Sequence, residues 1–210
     1  YKRQHYDYVV GDATPAYQDR LTKCIRKVVH VRPGIFVMFD DVAAPEPVTF
    51  EWRLHALSEM ALEPEANAIT VSEGDARMRV VFAAPGDVVI EQTTGFEHPP
   101  ESEGLPDQWH LVVSPGKKRE ATHFLSVLMP YQGGAETLPT VNPVDCEGGI
   151  AVELVLDGAR EVVAFRTGEA AMRLGEEETG AEVLALRIES DGTVSRRYEI
   201  RGDAARLVLP

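Results

Sequence analysis

Apolar and polar residues alternate along most of this chain with a period of two, the signature of half-buried β-strands. From Val48 to Leu57 the residues Phe50, Trp52, Leu54 and Ala56 point one way, and Glu51, Arg53 and His55 point the other. Just before it, Ile35 to Phe39 is a continuous apolar run of the kind buried on both faces of a sheet. Asp41 to Pro47 joins the two, and its two prolines predict a loop in place of a ladder. Further strands are expected at Cys24–Val31, Ile69–Val71, Met78–Phe82, Val88–Thr93, Trp109–Val113 and Phe124–Leu128, then at Val152–Leu156, Val162–Phe165, Leu184–Ile188, Val194–Ile200 and Arg206–Leu209. Only Glu169–Glu178 reads as a short helix.

Hairpin signals separate these runs. Gly74-Asp75, Asp157-Gly158 and Asp191-Gly192 each stand between β-rich segments. Asp-Gly suits a type I′ turn, whose two central residues both need φ > 0. Two longer connections break the rhythm. Phe96–Asp107 is acidic and rich in proline, and Tyr131–Gly149 is rich in glycine and proline. About a dozen short strands at this spacing predict an all-β fold, an antiparallel two-sheet β-sandwich of jelly-roll-like form with little helix. The expected organisation is a main sandwich over 1–130, a loop or linker over 131–149, and strands in 150–210 that complete the same sandwich. No internal repeat or low-complexity tract occurs.

Composition narrows the function classes. The 210 residues are 44% hydrophobic, enough for a folded core. The longest apolar runs are five residues, Ile35–Phe39 and Val80–Ala84, where a membrane helix needs about 20, so no membrane partner is expected. Lys2-Arg3 near the start has no apolar stretch behind it, so no signal peptide is read there. A chain opening on Tyr1 reads as a piece of something longer. The net charge of −13 argues against nucleic acid. Residues 1–32 nevertheless carry seven Lys or Arg against three acids, a net of +4 that leaves −17 for the rest. That basic region can face an anionic partner or pair with its own acidic neighbours. Two cysteines, Cys24 and Cys146, make neither a disulfide framework nor a four-cysteine zinc site, and whether they pair stays open.

No GxSxG, HExxH, GxGxxG or phosphate-binding glycine loop is present. Arg201-Gly202-Asp203 reads as a turn between strands. His98, Asp107, His110 and His123 would converge on a metal only if the 96–107 loop folded over the next strands, and no metal site is assigned. Arg26, His30 and Arg32 occupy alternate positions of one strand run, a cationic stripe able to grip a carboxylate or sulfate, or to pair with acids of a neighbouring strand. Arg53 and His55 share a polar strand face with Glu51 that can meet another domain or a sugar. General acid or base work there needs a second titratable partner. Trp52 shares its face with Phe50 and Leu54 and reads as core. Trp109, after a polar loop, is the aromatic better placed to stack on a sugar, with Tyr131 a second.

Three stretches carry a resemblance. Tyr6–Tyr17 (YDYVVGDATPAY), Arg26–Val42 (RKVVHVRPGIFVMFDDV) and Phe50–His55 (FEWRLH) follow one another. Together they resemble the β-sandwich part of the heparinase II/III-like polysaccharide lyases, in which a "GDA…AY" turn precedes an Arg, a "V-x-P" strand pair ending in Asp, and "W-x-L-H". Phe124–Pro130 (FLSVLMP) is similar to a later strand of that family. The resemblance covers residues 6–130. It implies a parent that cleaves uronate-containing polysaccharide by β-elimination, with an N-terminal helical toroid carrying the catalytic Tyr and His, usually periplasmic or secreted. Such a parent carries its zinc ligands in a segment upstream of "GDA…AY" that has no match here. No catalytic residue, metal ligand or cofactor is therefore carried over. Tyr17, Arg26, Asp40 and His55 match family positions and read as scaffold, Arg26 with Asp40 across adjacent strands and His55 near the toroid. The implied partners are that toroid and an acidic polysaccharide.

The leading expectation is thus a C-terminal sandwich of such a lyase, non-catalytic alone and bordering its cleft. A free-standing carbohydrate-binding sandwich is the alternative, and a chain that functions with a second chain from the same gene is a third.

Overall fold

The structure, a computed structural model, describes residues 5–96, 104, 106–133 and 137–202, and the backbone of 204–208. His98, Lys2, Arg3, Asp203 and most of the 96–107 loop lie outside the described residues. The fold is all-β. Eighteen strands are described, and the pairings among β4–β9 and β11–β18 and that of β10 with β7 are antiparallel. In chain order they are β1 Tyr6–Asp12, β2 Lys23–Val31, β3 Ile35–Val48, β4 Trp52–Ala56, β5 Ala61–Glu63, β6 Ala68–Glu73, β7 Ala76–Ala84, β8 Val88–Thr94, β9 Trp109–Pro115 and β10 Arg119–Gln132. There follow β11 Thr140–Val144, β12 Gly149–Leu156, β13 Ala159–Arg166, β14 Met172–Leu174, β15 Glu177–Thr179, β16 Val183–Ile188, β17 Val194–Arg201 and β18 Ala204–Val208. Short 3-10 turns occupy Thr14–Arg20 and Pro64–Ala66. A seven-stranded sheet has the order β1-β2-β3-β10-β7-β6-β5 and a six-stranded sheet β11-β12-β13-β16-β17-β18, beside a three-stranded sheet β4-β9-β8 and the β14-β15 hairpin.

The chain divides into two compact units. The first takes the start of the chain to Val9, Lys27–Phe39 and everything from Thr137; the second takes Val10–Arg26 and Asp40–Glu136. Within the first unit the β1–β3 residues pack on the six-stranded sheet. Phe39 stacks on Phe165 with ring centres 5.0 Å apart, and Tyr6 on Tyr198 at 5.7 Å. The other face of that sheet is buried too. Ala151, Val162, Ala164, Leu184 and Leu186 form a cluster with Met172 of β14, which explains the unbroken apolar run Val162–Phe165. Within the second unit the three-stranded sheet packs on the β10-β7 region. Trp52 meets Phe82 edge to face at 5.0 Å, and Phe124, Leu125 and Val127 of β10 are buried in the same unit.

Three local expectations are corrected. Asp41–Pro47 is not a loop; β3 runs through it to Val48. β2 begins only at Lys23, with the preceding Thr22 N–H donating to Ala43 O, so the Pro45–Pro47 stretch needs no donors for β2 on that flank. Glu169–Glu178 is not a helix but the β14-β15 hairpin, turned at Gly175 with φ +61°. Backbone bonds between Glu147 and Arg173 in both directions dock it, and a ten-residue helix has little cooperativity to set against such tertiary pairing. Thr140–Val144, inside the expected 131–149 loop, is a strand. β11 is a sheet edge, where Pro143 opposite Val152 is tolerated.

The hairpin turns divide by type. Asp157 (φ +51°) and Gly158 (φ +79°) both take the left-handed conformation that type I′ needs. At Ser190-Asp191-Gly192 only Gly192 does; Glu189 N–H bonds Thr193 O across a three-residue loop.

Candidate functional site

The outward face of the three-stranded sheet gathers the polar residues singled out on β4. Strand alternation puts Trp52 and Leu54 inward and leaves Arg53 and His55 exposed, and β9 sits against β4 in the register Arg53↔Val112, His55↔His110, Ala56↔Trp109. The imidazoles of His55 and His110 stand edge to face, 4.6 Å between centres. His110 Nε2 lies 2.6 Å from Gly95 O, at the base of the β8-β9 connection. Arg53 is held by Glu51, with Nε 2.8 Å from Oε2. Phe96 packs edge-on to His110, and Thr93 and Glu91 extend the face on β8.

The His55–His110 pair has no signal in the sequence, where His110 stands with His98, Asp107 and His123 only as a conditional set to which no metal site is assigned. Among the described residues no group of three or more His, Cys, Asp or Glu side chains converges. Trp109 follows the inward register of Ala56 and is half-buried, so it is not a fully open platform. Trp52 is buried as core.

The cationic stripe is present but neutralised residue by residue. Arg26 clamps Asp40 with two bonds, Nε–Oδ1 at 2.5 Å and Nη2–Oδ2 at 3.0 Å. Arg32 meets Asp7 at 2.7 Å, and His30 Nδ1 lies 3.3 Å from the same carboxylate while its ring stacks on Phe36. Pairing with acids of adjacent strands is thus what the stripe does. Asp40 is buried, and burial pushes its pKa up; the Arg26 bonds offset only part of that. Burial acts on its neighbour Asp41 too, but hydrogen bonds from His123 and Lys23 outweigh it and hold that carboxyl below its ordinary value.

The family-like "GDA…AY" segment is a built turn. Asp12 Oδ1 accepts the N–H of Thr14 at 2.8 Å, Thr14 Oγ1 accepts the N–H of Cys24 at 2.9 Å, and Ala13 N–H donates to Cys24 O. Tyr17 then stands exposed on the 3-10 turn. Cys24 and Cys146 are free thiols, each raised by burial and thereby made less reactive.

A second feature has no signal in the sequence. A cleft of about 300 Å³ in the first unit is walled by Val31, Ile35, Leu154 and Leu156 and edged by Arg187 and Glu189. Tyr6 donates its hydroxyl to Glu161, Arg187 bridges Glu161 and Glu189 at 2.8 Å each, and Ser195 donates to Glu189. Burial and the Glu161 carboxylate push the Tyr6 phenol far above its ordinary value, so it stays protonated. Tyr6 and Glu161 are 155 positions apart, and no spacing signals such a pair.

No protein-family model and no curated protein matches the sequence. The fold does match solved structures. A heparan sulfate lyase from Pedobacter heparinus superposes with a TM-score of 0.60 at 15% identity, over 81% of this chain and 27% of the lyase. A heparinase III superposes at 0.59 and 17%, over 79% of this chain and 26% of its own. A further heparinase III, with methylated lysines, gives 0.57 and 15% over 89% and 26%. The chain shares the fold of about a quarter of these lyases.

Proposed function

We propose that this chain is the β-sandwich portion of a heparinase II/III-like polysaccharide lyase whose whole protein cleaves a uronate-containing polysaccharide by β-elimination. The single observation that carries the reading is the fold match to about a quarter of several heparin-type lyases. Motif positions support it, since the "GDA…AY" residues build one turn and Arg26 pairs with Asp40. β-Elimination needs a base to take the proton α to the uronate carboxyl, an acid for the leaving oxygen and a group to neutralise the carboxylate. Arg53 and Arg26, each occupied by a carboxylate, offer no free cation for the last task. The role read for this portion is therefore structural: to brace the catalytic toroid and border the cleft, with the His55–Arg53 face as the bordering surface.

The test is the absorbance of the unsaturated uronate product. Incubated alone with heparan sulfate or alginate, the chain is expected to give no signal above buffer, whereas the whole parent protein gives steady release. Turnover by the isolated chain would overturn the non-catalytic role. A parent inactive on every uronate polysaccharide would overturn the lyase reading. Saturable glycan binding by the chain without any cleaving parent would favour the free-standing binding module.

A further inference from the structure

We propose that His55 and His110 form a surface site for one late first-row divalent cation, Cu²⁺ or Ni²⁺, bridging β4 and β9. The two residues are direct cross-strand partners on the solvent-facing side of the three-stranded sheet. Their ring centres are 4.6 Å apart, with planes at 79°. A metal held at 2.0–2.1 Å from a nitrogen sits about 3.2 Å from that ring's centre, so centres 4.6 Å apart are within the span of one ion once His55 turns a nitrogen toward His110, and that span corresponds to roughly 90° at the metal. That is the cis angle of square-planar and octahedral ions. Tetrahedral Zn²⁺ needs a wider angle and is expected to bind less well.

The hydrogen bonding of His110 points the same way. Gly95 O can only accept, so the Nε2 facing it at 2.6 Å carries the proton. In the neutral ring that leaves the Nδ1 lone pair for a metal. A ligating histidine whose other nitrogen donates to a backbone carbonyl is the usual arrangement of a metal-bound imidazole, fixed in tautomer and orientation. His55 is exposed and free to turn its ring by rotation about χ1 and χ2. Arg53, the cation nearest in the strand, has its guanidinium on Glu51, which reduces its repulsion of a bound ion. Glu91 lies diagonally across on β8, opposite Val112, and adds negative potential to the same face. Water fills the remaining coordination positions.

The site is independent of any lyase chemistry, so its test does not read activity. The chain is titrated with CuCl₂ in a non-coordinating buffer, followed by calorimetry and by electron paramagnetic resonance. The expected result is one saturable equivalent with two-nitrogen hyperfine structure, weakened at least about tenfold by His55→Ala and likewise by His110→Gln. His55→Ala alters an exposed side chain, so an unchanged melting curve without metal establishes that the variant is folded. His110→Gln keeps a donor for Gly95 O and separates loss of a ligand from loss of the anchor. Paramagnetic broadening strongest at the His55 and His110 ring signals and falling off with distance from them would support the proposal. No saturable binding, or binding that survives His55→Ala, would overturn it and place any copper on another histidine.

Discussion

Replacing Gly148 by alanine is expected to destabilise the protein by about 3 kcal/mol or more, read as a drop in denaturant midpoint with unchanged slope. Gly148 has φ +69°, a conformation that costs any residue with a Cβ. A Cβ there would stand 2.5 Å from the backbone oxygen of Ala171. Neither the turn nor the carbonyl can give way cheaply. Gly148 O accepts from Thr167, and the neighbouring Glu147–Arg173 bonds pin the β14-β15 hairpin against β12. The next residue is as confined, since a Cβ at Gly149 would meet Phe165 O at 2.8 Å and Met172 Sδ at 2.9 Å. The contrast is Gly168, with nothing within 4 Å of its Cβ position and no left-handed φ, where alanine is expected to change stability by less than about 0.5 kcal/mol. Equal effects at Gly148 and Gly168 would show that the hairpin does not dock as described.

The second large effect is at the Arg26–Asp40 clamp. Arg26→Ala leaves a buried carboxylate without its two-pronged partner, which costs several kcal/mol for a fully enclosed pair. Arg26 is half exposed, so water reaches the gap and about 2 kcal/mol is expected at neutral pH. The pH dependence follows from the direction of the Asp40 shift. Burial raises its folded-state pKa, so the protonated form suits the folded protein. Its contribution to stability is present below the unfolded carboxylate range and is lost as pH rises through the folded value. Without Arg26 that value rises further. The deficit of Arg26→Ala is then small in acid and grows toward neutrality. Asp40→Asn in the same background should recover most of the loss, because no unpaired charge remains. Additive losses in the double variant, or a deficit that does not change with pH, would contradict the account.

How far the sequence spoke for itself depended on the range of the interaction that decides each element. Alternation across Phe50–Ala56 located the inward Trp52 and outward His55, because one strand face is a local property. Asp157-Gly158 was legible for the same reason: two consecutive residues set the turn. The β14-β15 hairpin was not, because it is made by its docking to Glu147, which lies some 25 positions upstream and supplies the backbone partner. Pro45 and Pro47 misled in the same way, since whether a proline interrupts a ladder depends on where the neighbouring strand ends. For the candidate site, Arg26 with Asp40 could be anticipated from two adjacent strands. The His55–His110 contact depends on a register between strands more than 50 residues apart, and the Tyr6–Glu161–Arg187 network on three separate segments. Residue types named the chemistry available; only the pairing of strands decided which groups meet.

The central claim is that this sandwich works as one portion of a larger lyase, and the mass of the native protein tests it most directly. Purified from its source and measured intact, the protein is expected to be several-fold heavier than the 23.1 kDa of this chain. A native mass of 23.1 kDa, with Tyr1 as the N-terminus, would contradict the claim and leave a sandwich that acts alone.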